Sequence, residues 1–298
     1  MNSTAKVIVG ATATGKTRRA LEVAKIGNGE IINCDSLQLY NELKILTALP
    51  TEEEMATVKH KLFGYLNYDQ KTSSVDWAKL AAGAIQETIG SGKIPIIVGG
   101  TGLYVKTLIE GVSPMPIISA KNRQKAEELS VYDFSAMCEE LYSFDPNLRH
   151  MLPQSMHHQL IRAYEIFLET GKSIRYFWSL PKMQFIQNVD FEIEVIHCER
   201  TILYERIAHR FEQMLYNGAI DEVRNLLSKI TIKTHKEIFM TFPIFKAIGA
   251  KEITMFLNGI YTFEQMKETS IKNSRHYAKR QITWFKHQIK HCRREIIV

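Results

Sequence analysis

Residues 10–17 read Gly10-Ala11-Thr12-Ala13-Thr14-Gly15-Lys16-Thr17, which satisfies the spacing G-x-x-x-x-G-K-[ST] in full. Glycines let such a loop curl so that several backbone N–H groups face one anion, and a helix that begins at its end adds a positive dipole. Lys16 supplies a mobile charge, and the Thr17 hydroxyl is placed to hold Mg²⁺. The pattern selects a polyphosphate and leaves open which one. A P-loop kinase or NTPase adds a metal-holding carboxylate at the end of another apolar strand. Asp35, after Ile31-Ile32-Asn33-Cys34, is the only good candidate for that in the first hundred residues. Its neighbours point to a different role. In Asp35-Ser36-Leu37-Gln38-Leu39-Tyr40 a carboxylate that can take a proton lies beside an amide that can pair with a base edge and a ring that can stack on it. In Val98-Gly99-Gly100-Thr101-Gly102, the glycines imply close backbone approach to a ligand, and Thr101 presents a hydroxyl where α/β sheets bind ligands. Arg206 and Arg210 lie four apart on one helical face, so both can point at the same anion.

The elements that must position these groups follow from the apolar pattern. Short runs at Val7-Ile8-Val9, Ile31-Ile32 and Ile94 to Val98 are separated by helix-forming stretches at Thr17 to Lys25 and Trp77 to Ile89. Such alternation predicts βαβ units around a parallel sheet. The third run is apolar on both faces, as a strand covered on each side should be. Gly111 to Pro116 has the composition of a linker, and from about 120 to 185 the pattern is helical, with a break at Asp145-Pro146. One alternating strand follows, with Phe191, Ile193 and Val195 on one face and Asp190, Glu192 and Glu194 on the other. Helices are expected at Thr201 to Tyr216, at Ala219 to Ser228, and over about 263–291. The predicted fold is α/β, a P-loop NTPase-like parallel sheet with helices on both faces. Residues 1–112 and 186–298 form that core, and 113–185 form an inserted helical domain.

Apolar residues make up 45% of the 298-residue chain and charged residues 23%, the profile of a globular protein. No apolar run approaches the roughly 18–20 residues of a membrane span. The start shows no signal-peptide core. Cys34, Cys138, Cys198 and Cys292 are far apart, without metal-ligand spacing. A reduced, cytoplasmic setting is expected. The net charge is +6, yet eight Lys or Arg residues and no acid lie between Lys272 and Arg294. Segregated charge of this kind favours a polyanionic partner, because phosphate contacts release counterions.

Six stretches (GATATGKT, DSLQLY, VGGTGLYVKTLIEG, RAYEIFLETGKSI, ERIAHRFEQMLYNGAIDEV and RHYAKRQITWFK) occur in the order seen in bacterial tRNA dimethylallyltransferases, the tRNA isopentenyltransferase or IPP transferase family, and the resemblance covers nearly the whole chain. It implies transfer of a dimethylallyl group from dimethylallyl diphosphate to the exocyclic amine of an adenine beside the tRNA anticodon, with Mg²⁺ on Thr17; a monomer is expected. Asp35 would be the general base. Thr101 would touch the tRNA near the reacting centre, and Ser36, Leu37 and Gln38 would hold an adenine swung out of the anticodon loop. Residues Gly10 to Thr17 would cradle the diphosphate, with Arg206 as its guanidinium partner.

In the same resemblance the insertion is the tRNA-gripping domain, with contacts from Arg123 and from Ser155-Met156-His157-His158-Gln159. Lys279 and Arg280 would lie along the RNA. This chain departs from the family pattern at 155–159, where Asn-Asp-Pro-Gln-Arg is usual. It departs also at Ala11 (usually Pro), at Leu46 and Leu49 (Gly and Lys), and at Gly249-Ala250 (Gly-Tyr). Lys16, Thr17, Asp35, Thr101 and Arg206 are unchanged. Three other readings use the same residues: an isopentenyltransferase acting on free AMP, ADP or ATP, a P-loop kinase with Asp35 on the metal, and a silent tRNA-binding paralogue.

Overall fold

The computed structural model describes residues 2–232, 234–289 and 293–297. Cys292 and Lys290 of the basic tail lie outside the described residues, as do the side chains of Arg293 and Arg294. The chain divides into two compact units, one made of residues 1–110 and 185–298 and the other of 111–184.

The larger unit begins with β1 (Ser3–Gly10), α1 (Lys16–Gly27) and β2 (Gly29–Asn33). Two short helices, α2 (Lys44–Thr47) and α3 (Glu52–Thr57), precede a two-residue strand, β3 (His60–Lys61). Then come α4 (Ser74–Gly90), β4 (Ile94–Gly99) and α5 (Gly102–Glu110). All six strands of the unit pair in parallel in the order β3-β2-β4-β1-β5-β6, where β5 is Val189–His197 and β6 is Arg293–Ile297. The register sets Val7 beside Ile97 on one flank and beside Ile193 on the other.

Alternate residues of each strand feed cores on opposite faces of the sheet. Val7, Val9, Ile32, Ile97 and Val195 pack with Trp77, Ala81 and Leu108 from α4 and α5. Ile8, Ile31, Ile96, Val98 and Ile196 pack with Ala20, Val23 and Ala24 from α1. Strands covered on both sides must be apolar throughout, which is why these runs carry no polar alternation.

Within the smaller unit, α6 (Ala120–Tyr132), α7 (Phe134–Phe144), α8 (Leu148–Met151), α9 (His157–Thr170) and α10 (Ile174–Ser179) close on a core of Ala126, Met137, Leu141, Leu160 and Tyr164. The expected break at Asp145-Pro146 falls between α7 and α8. There the buried Asp145 carboxylate accepts from Ser173 and Arg175.

After β5 the larger unit continues with α11 (Arg200–Tyr216), α12 (Ala219–Ser228), α13 (His235–Thr241), a 3-10 turn at Pro243–Lys246, α14 (Ala250–Leu257) and α15 (Phe263–Gln288). Glu194 lies on the face opposite Ile193 and Val195, where it is buried and held by Arg19 of α1 at 3.0 Å. One expectation is corrected. The basic helix ends at Gln288, and the chain adds β6 at the sheet edge. With charged residues leading into Ile296-Ile297, that strand carries no alternation to betray it.

Candidate active site

β1 and α1 leave residues 11–15 as a loop over the carboxyl end of the sheet. Gly15 caps α1 at φ 85°, ψ 18°, a conformation glycine adopts without a Cβ clash. Gly10 is needed for a different reason, since a Cβ there would lie 2.5 Å from the Ile196 carbonyl oxygen of β5. Inside the loop, the Thr14 hydroxyl donates to the Ala11 carbonyl at 2.8 Å, and Lys16 Nζ donates to the same oxygen at 2.6 Å. Lys16 and Thr17 line a cleft with Thr12, Asp35, Gln38, Gly99, Arg210 and Gln281. Burial lowers the Lys16 pKa to about 8, with Asp35 opposing the shift and Arg210 adding to it.

Asp35 follows β2 in a turn built by local hydrogen bonds. Its backbone N–H donates to Asn33 Oδ1 at 2.8 Å, and its Oδ1 accepts from the Leu37 N–H at 3.0 Å. Thr101 closes the turn from the other side: its hydroxyl accepts from the Ser36 N–H at 3.0 Å and donates to Ser36 Oγ at 3.4 Å. The two loops meet so closely that a Cβ on Gly99 would sit 2.1 Å from the Cys34 carbonyl. Asp35, Ser36 and Thr101 therefore form one rigid corner beside the phosphate loop, and the Thr101 hydroxyl is part of its frame.

Gln38 has its amide nitrogen committed. It donates to the carbonyls of Thr47 and Ala48 at 2.9 and 2.8 Å, holding the turn after α2. The carboxylate of Glu222 on α12 supports the same segment, accepting from the N–H groups of Ile45 and Leu46. Leu46 and Thr47 are thereby fixed in the cleft wall. An open space of about 620 Å³ lies between Thr12, Asp35, Leu37, Leu46, Thr47, Ile207, Arg210, Phe211, Met214 and Tyr277. One side is apolar and the other carries Asp35 and Arg210, so a small apolar tail and an anion can be held together. The Tyr277 phenol is pushed up by burial and by the Asp35 charge, and stays protonated as a donor.

The cleft arginine is Arg210. It lines both parts of the space, and its pKa is lowered by burial with Asp35 opposing. Arg206 is exposed and is not among the lining residues. Four residues advance a helix by about 6 Å along its axis, so two arginines on one face need not reach the same point. Sequence reasoning also passed over Gln281 and Tyr277. Both lie in the stretch RHYAKRQITWFK, and the available signal was a polar residue and a ring recurring on the inward side of a basic helix.

In the smaller unit, Ser155 to Gln159 are exposed at the start of α9. His157 stacks on Phe134 at 4.1 Å between ring centroids, and Arg123 of α6 approaches Glu165 of α9 at 3.9 Å. Lys279 and Arg280 are exposed on α15 and border a shallow groove with Trp284 and His287. No cluster of three or more His, Cys, Asp or Glu suited to a metal occurs among the described residues. None of their helices is long and apolar enough to cross a membrane.

Residues 38–288 match the family described as IPP transferase, and residues 3–69 match isopentenyl transferase. The chain belongs to the IPP transferase family. It is similar to a tRNA dimethylallyltransferase of Rickettsia conorii, with 37% identity over 95% of this chain and 76% of the relative. One from Agrobacterium fabrum is 36% identical over 97% and 95% of the two chains. Among solved structures, the full-length tRNA isopentenylpyrophosphate transferase of Bacillus halodurans superposes with a TM-score of 0.70 at 32% identity, covering 100% of this chain and 90% of that one. A eukaryotic dimethylallyltransferase acting on tRNA superposes at 0.83 with 25% identity, covering 99% and 74%. The fold of these relatives is thus shared along nearly the whole chain.

Proposed function

We propose that this chain transfers a dimethylallyl group from dimethylallyl diphosphate to N6 of an adenine beside the anticodon of tRNA, releasing diphosphate. The observation that carries the reading is the corner itself: a carboxylate with one oxygen fixed by Leu37 and the other open, in the same cleft as the phosphate loop, Lys16 and Arg210. The allylic C1–O bond breaks and its electron pair leaves with diphosphate, where loop amides, Lys16 and Arg210 meet the growing charge. The N6 lone pair forms the new bond to C1. That amine is a weak nucleophile, and Asp35 Oδ2 takes its proton as the bond forms.

Thr17 and the diphosphate oxygens together fit Mg²⁺, which is commonly held by one or two protein groups plus substrate phosphates. A bound Mg²⁺ would supply further charge neutralisation on the leaving group. In this reading the adenine stacks against the Ser36–Gln38 turn, the exposed start of α9 and Arg123 grip the RNA, and the enzyme works as a cytoplasmic monomer.

Incubation with labelled dimethylallyl diphosphate and either tRNA or AMP tests the reading. Label is expected in tRNA alone, on N6 of adenine. Label in AMP would make the chain a free-nucleotide isopentenyltransferase. Phosphoryl transfer from ATP with no prenyl transfer would make it a kinase.

A further inference from the structure

α15 carries a buried polar side chain with no part in the chemistry above. Gln281 is 5% exposed. Its Oε1 accepts from the Thr12 backbone N–H at 2.8 Å, and its Nε2 donates to the Gly100 carbonyl at 2.9 Å. The orientation of the amide is dictated, because a backbone N–H only donates and a carbonyl only accepts. Thr12 belongs to the phosphate loop. Gly100 belongs to the loop after β4, whose next residue, Thr101, frames the Asp35 turn. One amide therefore spans the two loops that carry the two halves of the reaction. The fit is close, since a Cβ on Gly100 would sit 2.2 Å from Gln281 Nε2. An apolar residue of similar volume would leave the Thr12 N–H and the Gly100 carbonyl without this partner, so the amide does more than fill space.

We propose that Gln281 is a positioning residue that fixes the separation of the diphosphate loop from the Asp35–Thr101 corner. This rests on the transfer reaction proposed above. Gln281 touches no reacting atom and acts through Thr12 and Gly100, holding C1 of the allylic group, the adenine amine and the Asp35 carboxylate in line. Misplacement by about 1 Å costs on the order of 10²-fold in rate.

Gln281→Glu gives the test. Ionised, the glutamate still accepts from the Thr12 N–H but sets an oxygen against the Gly100 carbonyl. Protonated, its O–H donates to that carbonyl and reproduces the glutamine pattern. Burial raises a carboxyl pKa, so recovery falls in an accessible range. The kcat of Gln281→Glu relative to wild type is expected to be about 10- to 100-fold low near pH 8.5 and to recover most of that near pH 6, with the KM for tRNA unchanged. Gln281→Leu loses both bonds without adding charge, and its kcat should be depressed about equally at both pH values. A relative rate for Gln281→Glu that is flat with pH, or a wild-type kcat in Gln281→Leu, would overturn this role while leaving the transfer reaction standing. Wild-type protein that moves no label to tRNA would overturn the reaction, and this role with it.

Discussion

In the proposed reaction Lys16 is the cation that meets the diphosphate, and burial brings its pKa down to about 8. Below that value the ammonium is charged and attracts the anion, and above it the charge is lost. Affinity for inorganic diphosphate, measured by calorimetry, should therefore hold up to about pH 8 and weaken above it by as much as about tenfold per unit, one unit being about 1.4 kcal/mol. The ligand gains negative charge over the same range and works in the opposite direction, so any weakening reports Lys16. An affinity that rises steadily to pH 9.5 would mean that Lys16 stays charged. The arginines offer a second comparison. Arg210→Ala should weaken diphosphate binding by about 1.5–3 kcal/mol, the usual worth of a hydrogen bond to a charged group. Arg206→Ala, exposed one turn away, should leave it unchanged, and the opposite result would restore Arg206 to the site. The phosphate loop, Asp35 and Thr101 were legible because local spacing defines them. The choice between Arg206 and Arg210 was not, because helical periodicity gives a face and not a depth. The partners of the Gln38 amide nitrogen were not legible for a related reason: Thr47 and Ala48 lie nine and ten residues on, in a turn with no apolar pattern.

At the scale of elements, β2, β3 and α4 are tied by a buried carboxylate. Glu30 is 2% exposed, and burial alone would raise its pKa. Hydrogen bonds from Lys61, Lys93 and Thr88 overcome that and hold it at about 2. Its folded pKa is depressed from an ordinary value near 4.5. The stabilisation is then fully present above about 4.5 and is lost as pH falls towards 2, with a size on the order of 3 kcal/mol. Urea unfolding should show Glu30→Gln less stable than wild type at pH 7, and the gap should narrow by about 1 kcal/mol near pH 3.5. A gap that does not change with pH would remove charge as its cause. The strands β1, β2 and β4 were readable because a short run apolar on both faces fits best inside a sheet covered on each side. β3, only two residues long, and β6, led by two arginines, hold their places by pairing with neighbours far along the chain, which no local pattern records. Glu194 keeps the alternation of β5 and is nevertheless buried, because Arg19 of α1 is available to pair with it, a partner far along the chain that the strand's own pattern does not record.

For the molecule as a whole, the chain's positive charge is concentrated near its end: eight Lys or Arg residues and no acid lie between Lys272 and Arg294, five of them on α15. Lys279 and Arg280 are exposed there, beside Trp284. If this face lies along RNA, Lys279→Ala with Arg280→Ala should raise the KM for tRNA and reduce the slope of log affinity against log salt by about one to two. The affinity for dimethylallyl diphosphate should not move, and an unchanged salt slope would make the face merely solvated. That the chain carries a helical segment after residue 111 was visible in the loss of strand periodicity. What Ser155 to Gln159 do there was not, since exposed residues at a helix start carry no packing signal. The proposed reaction divides the labour of one cleft: Lys16 and its loop would hold the diphosphate, and Asp35 would take the proton. The most direct measurement compares Asp35→Asn, which keeps an oxygen for the Leu37 N–H, with Lys16→Ala in both single-turnover rate and dimethylallyl diphosphate binding. Asp35→Asn should bind the diphosphate normally and transfer about 10²–10⁴-fold more slowly, while Lys16→Ala should lose binding. Lost diphosphate affinity in Asp35→Asn, with Lys16→Ala binding normally, would contradict the assignment and make Asp35 a metal ligand.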